Sequence, residues 1–88
     1  MFSVIMPTYN NSSFIRRAIK SVIDQSYELW ELIIVDDGIT DDTFENIKDL
    51  LIDNRIFYYK ILQNRGLGVA INTGLAIARH NYIAYLPA

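Results

Sequence analysis

The 88-residue sequence contains no cysteine, no long apolar run and no excess of basic residues. Without cysteine, neither a disulfide framework nor a thiolate metal site can form, so a metal ion would need carboxylate ligands. No apolar run approaches the roughly 20 residues of a membrane span, and residues 1–6 are too short and uncharged for a signal peptide. We therefore expect a soluble cytoplasmic domain.

The charge pattern excludes another class of partner. The formal net charge is −2, and the positive residues are scattered singly or in pairs. A nucleic-acid-binding domain needs a clustered basic footprint. We expect no nucleic-acid partner. Arg16, Arg17 and Lys20 are interpreted as the wet side of a helix, with weak contact to the cytoplasmic face of a membrane as the alternative.

Short apolar runs and helix-period stripes alternate along the chain. The runs predict strands at residues 2–6, 32–35, 55–62 and 82–86, the first ended by Pro7, which cannot donate to a strand ladder. Three helices are predicted between them. Their inner residues are Phe14, Ile15, Ala18, Ile19, Val22 and Ile23 in the first, Phe44, Ile47 and Leu51 in the second, and Ala70, Gly74 and Ala78 in the third. The alternation predicts an α/β fold: an open parallel sheet of about four strands with three helices on its two faces.

Ligands of open parallel sheets bind beyond the carboxyl ends of the strands. In this sequence those ends are followed by residues 7–10, 36–38 and 63–66. The adjacent carboxylates of Asp36 and Asp37 repel each other unless a positive group or a hydrogen-bond donor meets them. This makes them the sharpest physical indication of a site. A solvated turn with Gly38 at positive φ explains the same pair without a function.

Two kinds of site do not fit these loops. A dinucleotide fold needs its glycine fingerprint directly after the first strand, where this chain has Pro7-Thr8-Tyr9-Asn10. A phospho-receiver pocket would place its acid pair after the first strand and a further aspartate after the third, and neither is found. A pocket for a base and ribose without a phosphate loop remains. In it Tyr9 offers a flat stacking face, Thr8 a hydroxyl and Asp37 an acceptor for a ring N–H.

Five segments along the chain follow a known pattern: Ser3-Val4-Ile5-Met6-Pro7-Thr8-Tyr9-Asn10, Ala18-Ile19-x-Ser21-Val22-x-x-Gln25-Ser26-Tyr27, Glu31-Leu32-Ile33-Ile34-Val35-Asp36-Asp37-Gly38, Asn64-x-Gly66 and Ala70-x-Asn72-x-Gly74. Through these segments the sequence resembles the family-2 glycosyltransferases along its whole length. The resemblance implies that residues 1–88 form the Rossmann-like amino-terminal half of an inverting enzyme with the GT-A fold. That half binds a nucleotide-diphosphate sugar, commonly a UDP-sugar, for transfer to a saccharide or lipid-linked acceptor.

The resemblance also assigns roles to individual residues. Pro7, Thr8 and Tyr9 would line the base and ribose, and Asp37 would accept from the base imide. Asp36 and Gly38 would shape the second loop, and Arg65 would reach the base or a phosphate. No catalytic residue is assigned within the chain.

The chain departs from the family pattern near its end. The family's fourth strand leads into an Asp-x-Asp motif that binds Mn²⁺ or Mg²⁺, and here Pro87 stands where the first acid is expected. We therefore expect a domain truncated at its carboxyl end that lacks the metal site and the catalytic base and transfers no sugar unaided. A degenerate relative that retains only nucleotide binding or the fold is the alternative. Surface uncovered by truncation predicts a homo-oligomer.

Overall fold

The computed structural model describes residues 2–8, 12–26, 28–36, 43–61, 67–80 and 82–85. Within these ranges the chain forms four strands, three α-helices and one 3₁₀ turn. In chain order they are β1 (Phe2–Thr8), α1 (Ser12–Asp24), β2 (Trp30–Asp36), α2 (Thr43–Ile47), the 3₁₀ turn (Lys48–Ile52), β3 (Ile56–Lys60), α3 (Leu67–Ile77) and β4 (Tyr82–Tyr85). The predicted α/β class is confirmed.

The four strands form one parallel sheet in the order β3-β2-β1-β4. β1 continues through Pro7 to Thr8, so the prediction that Pro7 ends the strand is wrong. Pro7 pairs with Val35 of β2, whereas the described pairing of β1 with β4 stops at Ile5. Beyond Ile5 the described ladder has β2 as its only partner, and a proline is tolerated where one side of the strand is unpaired.

Helices cover both faces of the sheet. On one face α1 and α2 pack over a cluster formed by Met6, Ile15, Ile19, Val22, Trp30, Leu32, Ile34, Ile47 and Ile56. On the other face, Ile33 and Val35 pack with Ile77 and Ala78 at the end of α3. All seven residues of β2 are buried, which is the reason for its continuous hydrophobic run.

Gly74 sets the distance between α3 and the sheet. A Cβ atom built at Gly74 would lie 2.5 Å from Cγ2 of Ile5 in β1. Real carbon atoms do not approach so closely, so any larger residue would push the helix away from the strand. The small-residue stripe predicted for this helix therefore has a packing function at Gly74.

Several details of the predicted helices are wrong. Phe44, predicted as an inner residue of the second helix, is 45% exposed, and Ala78 follows α3, which ends at Ile77. Phe14 is 56% exposed, because Ile15 and Ile19 form the buried stripe of α1 and Phe14 lies a third of a turn away from it. The second helix does not continue in α form to Leu51, since α2 ends at Ile47 and a 3₁₀ turn follows. At this junction the Arg16 side chain donates a hydrogen bond of 2.8 Å to the carbonyl oxygen of Asn46.

Arg16 also joins α1 to the 3₁₀ turn. Its two terminal nitrogens each donate a hydrogen bond of 2.7 Å to a carboxylate oxygen of Asp49. This bidentate bond lowers the pKa of Asp49 and raises that of Arg16, and it outweighs the opposing effect of desolvation. Both side chains are largely exposed, so the pair fixes geometry more than it adds stability. Arg16 thus has a structural role, whereas Arg17 and Lys20 are exposed.

Candidate functional site

Thr8 and Asp36 lie side by side at the carboxyl ends of the two central strands. They are cross-strand partners in the pairing of β1 with β2. Thr8 is 2% exposed and Asp36 is 1% exposed. The Oγ1 atom of Thr8 is buried and has no hydrogen-bond partner among the described residues. Because a buried hydroxyl without a partner costs free energy, this end of the sheet retains unused hydrogen-bonding capacity.

Asp36 also receives a hydrogen bond from the neighbouring strand. The hydroxyl of Tyr58 in β3 donates to Oδ2 of Asp36 at 2.5 Å. The ring of Tyr58 packs against Phe44 of α2 with centroids 5.3 Å apart and planes tilted by 56°. Sequence reasoning gave Tyr58 no role in the site and missed its hydroxyl. Its register opposite Ile34, two residues before Asp36 on the same face, is the signal that could have placed it.

Three of the seven predicted site residues come together here. Pro7, Thr8 and Asp36 occupy adjacent positions at the strand ends, with Pro7 buried and paired with Val35. The other four predicted residues, Tyr9, Asp37, Gly38 and Arg65, lie outside the described residues. They directly follow Thr8 and Asp36 in the chain, apart from Arg65, which lies two residues before α3. The described part of the candidate site therefore consists of the residues at the carboxyl ends of β1 and β2.

A second buried carboxylate lies at the opposite end of β2. Glu31 is 3% exposed and is surrounded by donors. Oε2 accepts from the Ser3 hydroxyl at 2.6 Å and the Arg79 backbone N–H at 2.8 Å, while Oε1 accepts from Nε of Arg79 at 3.0 Å. The backbone N–H of His80 donates to Ser3 Oγ at 3.2 Å. This Glu31 cluster fastens the α3–β4 connection to the amino end of the sheet.

The protonation of Glu31 follows from those contacts. Burial alone would raise its pKa, but the hydrogen bonds from Ser3 and Arg79, with the positive charge of Arg79, outweigh burial and lower the pKa below its ordinary value of 4.5. Glu31 is thus a satisfied carboxylate with a structural function. Sequence reasoning missed this cluster.

Aromatic residues on the strands do not all join the core. Trp30 is 5% exposed, and the guanidinium of Arg55 lies 3.9 Å from its ring centroid. Tyr59 and Tyr82 are exposed, although both lie on strands. Tyr82 lies on the edge strand β4 and contacts Phe2 with ring centroids 5.8 Å apart. No other described strand pairs with the outer edge of β4.

The described residues contain no group of three or more His, Asp or Glu side chains arranged to hold a metal ion. Asp36 and Glu31 are separated by the length of β2, so they cannot share an ion. The described residues therefore do not by themselves fit the Mn²⁺ or Mg²⁺ that the resemblance implies. Among the described helices, none has the length and apolar character needed to cross a membrane.

Comparison with known proteins matches residues 3–88 to Glycosyl transferase family 2. Among characterised sequences, the chain is 41% identical over 87 residues to the putative teichuronic acid biosynthesis glycosyltransferase TuaG of Bacillus subtilis. The match covers 98% of this chain and 34% of TuaG. The chain thus spans about a third of the length of this relative.

Solved structures resemble the fold closely. Residues 1–349 of Staphylococcus aureus TarS in complex with UDP give a TM-score of 0.90 at 27% identity, covering 98% of this chain and 26% of that one. The same part of TarS is known with UDP-GlcNAc. The mannosyltransferase PcManGT of Pyrobaculum calidifontis, in complex with GDP-Man and Mn²⁺, gives a TM-score of 0.80 at 26% identity, covering 89% of this chain and 24% of that one.

Proposed function

The chain belongs to glycosyl transferase family 2, and from this membership we propose that it binds a UDP-sugar at the carboxyl ends of β1 and β2. The donor sugar is transferred with inversion to a saccharide or lipid-linked acceptor. Residues 1–88 form the amino-terminal nucleotide-binding subdomain of this GT-A enzyme. Because the chain spans a third or less of TuaG and TarS, the complete reaction belongs to a longer protein.

The observation that carries the proposal is the buried hydroxyl of Thr8, which has no hydrogen-bond partner among the described residues and lies beside the buried carboxylate of Asp36. Such a hydroxyl does not stabilise the core, because an unmade hydrogen bond in the interior costs free energy. A ligand hydroxyl or ring nitrogen at the strand ends would supply the missing partner. The place agrees with the general position of ligands in open parallel sheets.

The remaining contacts come from the residues that follow the two strands. Tyr9 stacks on the uracil base, Thr8 and Pro7 border the base and ribose, and Asp37 accepts the hydrogen bond of the base imide. Arg65 reaches the base or a phosphate. The TarS complexes with UDP and UDP-GlcNAc support a uridine nucleotide, because TarS has the same fold over nearly the whole of this chain.

Transfer itself needs groups that the described residues do not assemble. In PcManGT a nucleotide sugar is found together with Mn²⁺, and such an ion would neutralise the diphosphate as it leaves. We assign the ion and the catalytic base to segments other than the described ones. The 88-residue chain by itself then binds the donor but does not turn it over.

We place the protein in the cytoplasm, with Arg17 and Lys20 of α1 directed to the anionic cytoplasmic face of a membrane, where a lipid-linked acceptor would lie. We also propose that the 88-residue chain self-associates through the outer edge of β4. Tyr82 of β4 is 66% exposed, and Phe2 of the neighbouring β1, which its ring contacts, is 39% exposed. An open strand edge next to exposed aromatic residues favours pairing with a second copy.

Calorimetric titration with UDP, in the presence and absence of Mn²⁺, tests the proposed function. We expect metal-independent binding that is lost in Tyr9→Ala and in Asp37→Ala. The matched controls are Tyr82→Ala, which removes an exposed aromatic ring at the sheet edge, and Asp24→Ala, which removes an exposed carboxylate at the end of α1. Both controls should bind as the unchanged protein does.

Absence of binding at millimolar UDP would refute the proposal for this chain and leave the degenerate fold as the better description. Binding that requires Mn²⁺ would contradict the assignment of the metal to other segments. Light scattering tests self-association separately. A clean monomer at high protein concentration would exclude it, whereas a dimer that dissociates in Tyr82→Lys would support the β4 edge.

A further inference from the structure

We propose that Tyr58 is a positioning residue for the nucleotide site, acting through Asp36 and Phe44 rather than by touching the ligand. This inference rests on the proposed function and deepens it. Tyr58 lies in the middle of β3, and β2 separates this strand from β1, which carries Thr8. Its hydroxyl donates to Asp36, and its ring packs against Phe44.

The two contacts of Tyr58 lie on either side of one chain segment. Asp36 is the last residue of β2, and Phe44 is the second residue of α2. The chain between these elements, residues 37–42, carries Asp37 and Gly38. A single side chain on a neighbouring strand thus holds the end of the strand before this segment and the start of the helix after it.

The strength of each contact is unequal. A hydrogen bond from a neutral hydroxyl to a carboxylate is charge-assisted, and it is stronger where water is excluded. Asp36 is 1% exposed, so the bond is shielded from competition by solvent. Phe44 is 45% exposed, and its edge-tilted contact with Tyr58 is weaker. The hydroxyl is therefore the main positioning group, and the ring contact is secondary.

The orientation of the Asp36 carboxylate matters because Asp36 lies beside Thr8 at the strand ends, where the nucleotide is proposed to bind. Tyr58 restricts this carboxylate to one arrangement before the ligand arrives, which lowers the ordering cost of binding. Its loss should weaken UDP binding without removing any ligand contact.

Tyr58→Phe tests the hydroxyl and keeps the ring against Phe44. Tyr59→Phe is the matched control, since Tyr59 is the next residue of the same strand and its side chain points to the opposite face. We expect UDP affinity, measured by calorimetry well below the unfolding temperature, to fall about tenfold in Tyr58→Phe. Tyr59→Phe should stay within about twofold of the unchanged protein. Phe44→Leu, which removes the ring contact but keeps the hydroxyl, should lose only about threefold.

Two further measurements distinguish the positioning role of Tyr58 from a purely structural role. In an Asp36→Ala background, Tyr58→Phe should cause little additional loss of affinity, because Asp36→Ala has already removed the acceptor of the Tyr58 hydroxyl. The ¹³Cγ resonance of Asp36 in the free protein should move in Tyr58→Phe and stay in place in Tyr59→Phe. Additive losses in the double variant would mean that Tyr58 does not act through Asp36.

If the unchanged protein binds UDP and Tyr58→Phe binds it equally well, the positioning role is overturned while the proposed function stands. If the unchanged protein does not bind UDP, the proposed function fails and this role fails with it. An unmoved Asp36 resonance in Tyr58→Phe would also overturn the role, whatever the affinity.

Discussion

β2 carries a buried carboxylate at each end, Glu31 at the start and Asp36 at the finish, and the two have different surroundings. Glu31 receives three hydrogen bonds from Ser3 and Arg79. Next to Asp36, the Thr8 hydroxyl is buried without a partner among the described residues. A carboxylate enclosed by donors stabilises the fold, whereas a strand end with unused hydrogen-bonding capacity is suited to a ligand. From this comparison we expect the Glu31 end of β2 to contribute mainly to the stability of the fold and the Asp36 end mainly to the binding of UDP.

The largest effect is expected from Glu31→Ala. Removing this carboxylate leaves the Ser3 hydroxyl and the Arg79 backbone N–H without their acceptor, which should lower the free energy of unfolding by about 3 kcal/mol. For a domain of this size the unfolding temperature would fall by roughly 12–24 °C. Thermal unfolding followed by circular dichroism measures the loss. UDP affinity of the folded protein should be unchanged, and a binding loss equal to that of Asp36 variants would break the comparison.

The converse result is expected from Asp36→Asn. UDP affinity should fall about thirtyfold, equivalent to about 2 kcal/mol, because the carboxylate that meets Tyr58 and precedes Asp37 is lost. The free energy of unfolding should change by less than about 1 kcal/mol, since the side-chain oxygen of Asn can still accept the hydrogen bond of the Tyr58 hydroxyl. Calorimetry and chemical denaturation of the same sample measure both quantities. A large loss of stability with unchanged affinity would reverse the assignment of the two ends.

The pH dependence of stability should report the Glu31 end. Its pKa is lowered in the folded protein, so its contribution is fully present above the unfolded-state pKa of 4.5 and is lost as the pH falls through the folded-state value. Glu31→Gln should therefore be less stable than the unchanged protein by about 1–2 kcal/mol above that pH, and the gap should narrow below it. Denaturant titrations between about pH 6 and pH 3 measure the gap. A constant gap would mean that the charge of Glu31 contributes nothing.

The smallest effect concerns Thr8→Val. The substitution replaces a buried hydroxyl that has no partner among the described residues with a methyl group, so stability should rise by about 0.5 kcal/mol. UDP affinity should fall about fivefold, because the ligand loses a hydrogen-bonding group. Ser21→Ala is a suitable control, since the Ser21 hydroxyl is exposed on α1 and bonds the Ala18 carbonyl oxygen. Unchanged affinity in Thr8→Val would remove Thr8 from the site.

The sheet could be predicted from sequence because each strand is short, apolar and bounded by polar residues. Residues 32–35 have no alternation, which is typical of a strand buried on both faces, and β2 is buried throughout. Gly74 could be predicted as a packing residue from its place in a small-residue stripe. Pro7 misled the reasoning, because whether a proline ends a strand depends on which neighbour continues beside it.

The site could be predicted only as far as the chain order of its loops. Thr8 and Asp36 come from the rule on strand ends and lie together as expected. The Tyr58 hydroxyl and the Glu31 cluster could not be foreseen in the same way. They depend on strand register and on the approach of Arg79, 48 positions away in the chain. Long-range side-chain bonds of this kind leave no periodic signal in the sequence.

A UDP titration followed by amide chemical shifts tests the central claim most directly, because it observes both ends of β2 in one experiment. We predict that the amides of Thr8 and Asp36 shift with a common saturation curve, while those of Ser3, Glu31 and Arg79 stay in place. Shifts centred on the Glu31 cluster, or no shifts at millimolar UDP, would contradict it.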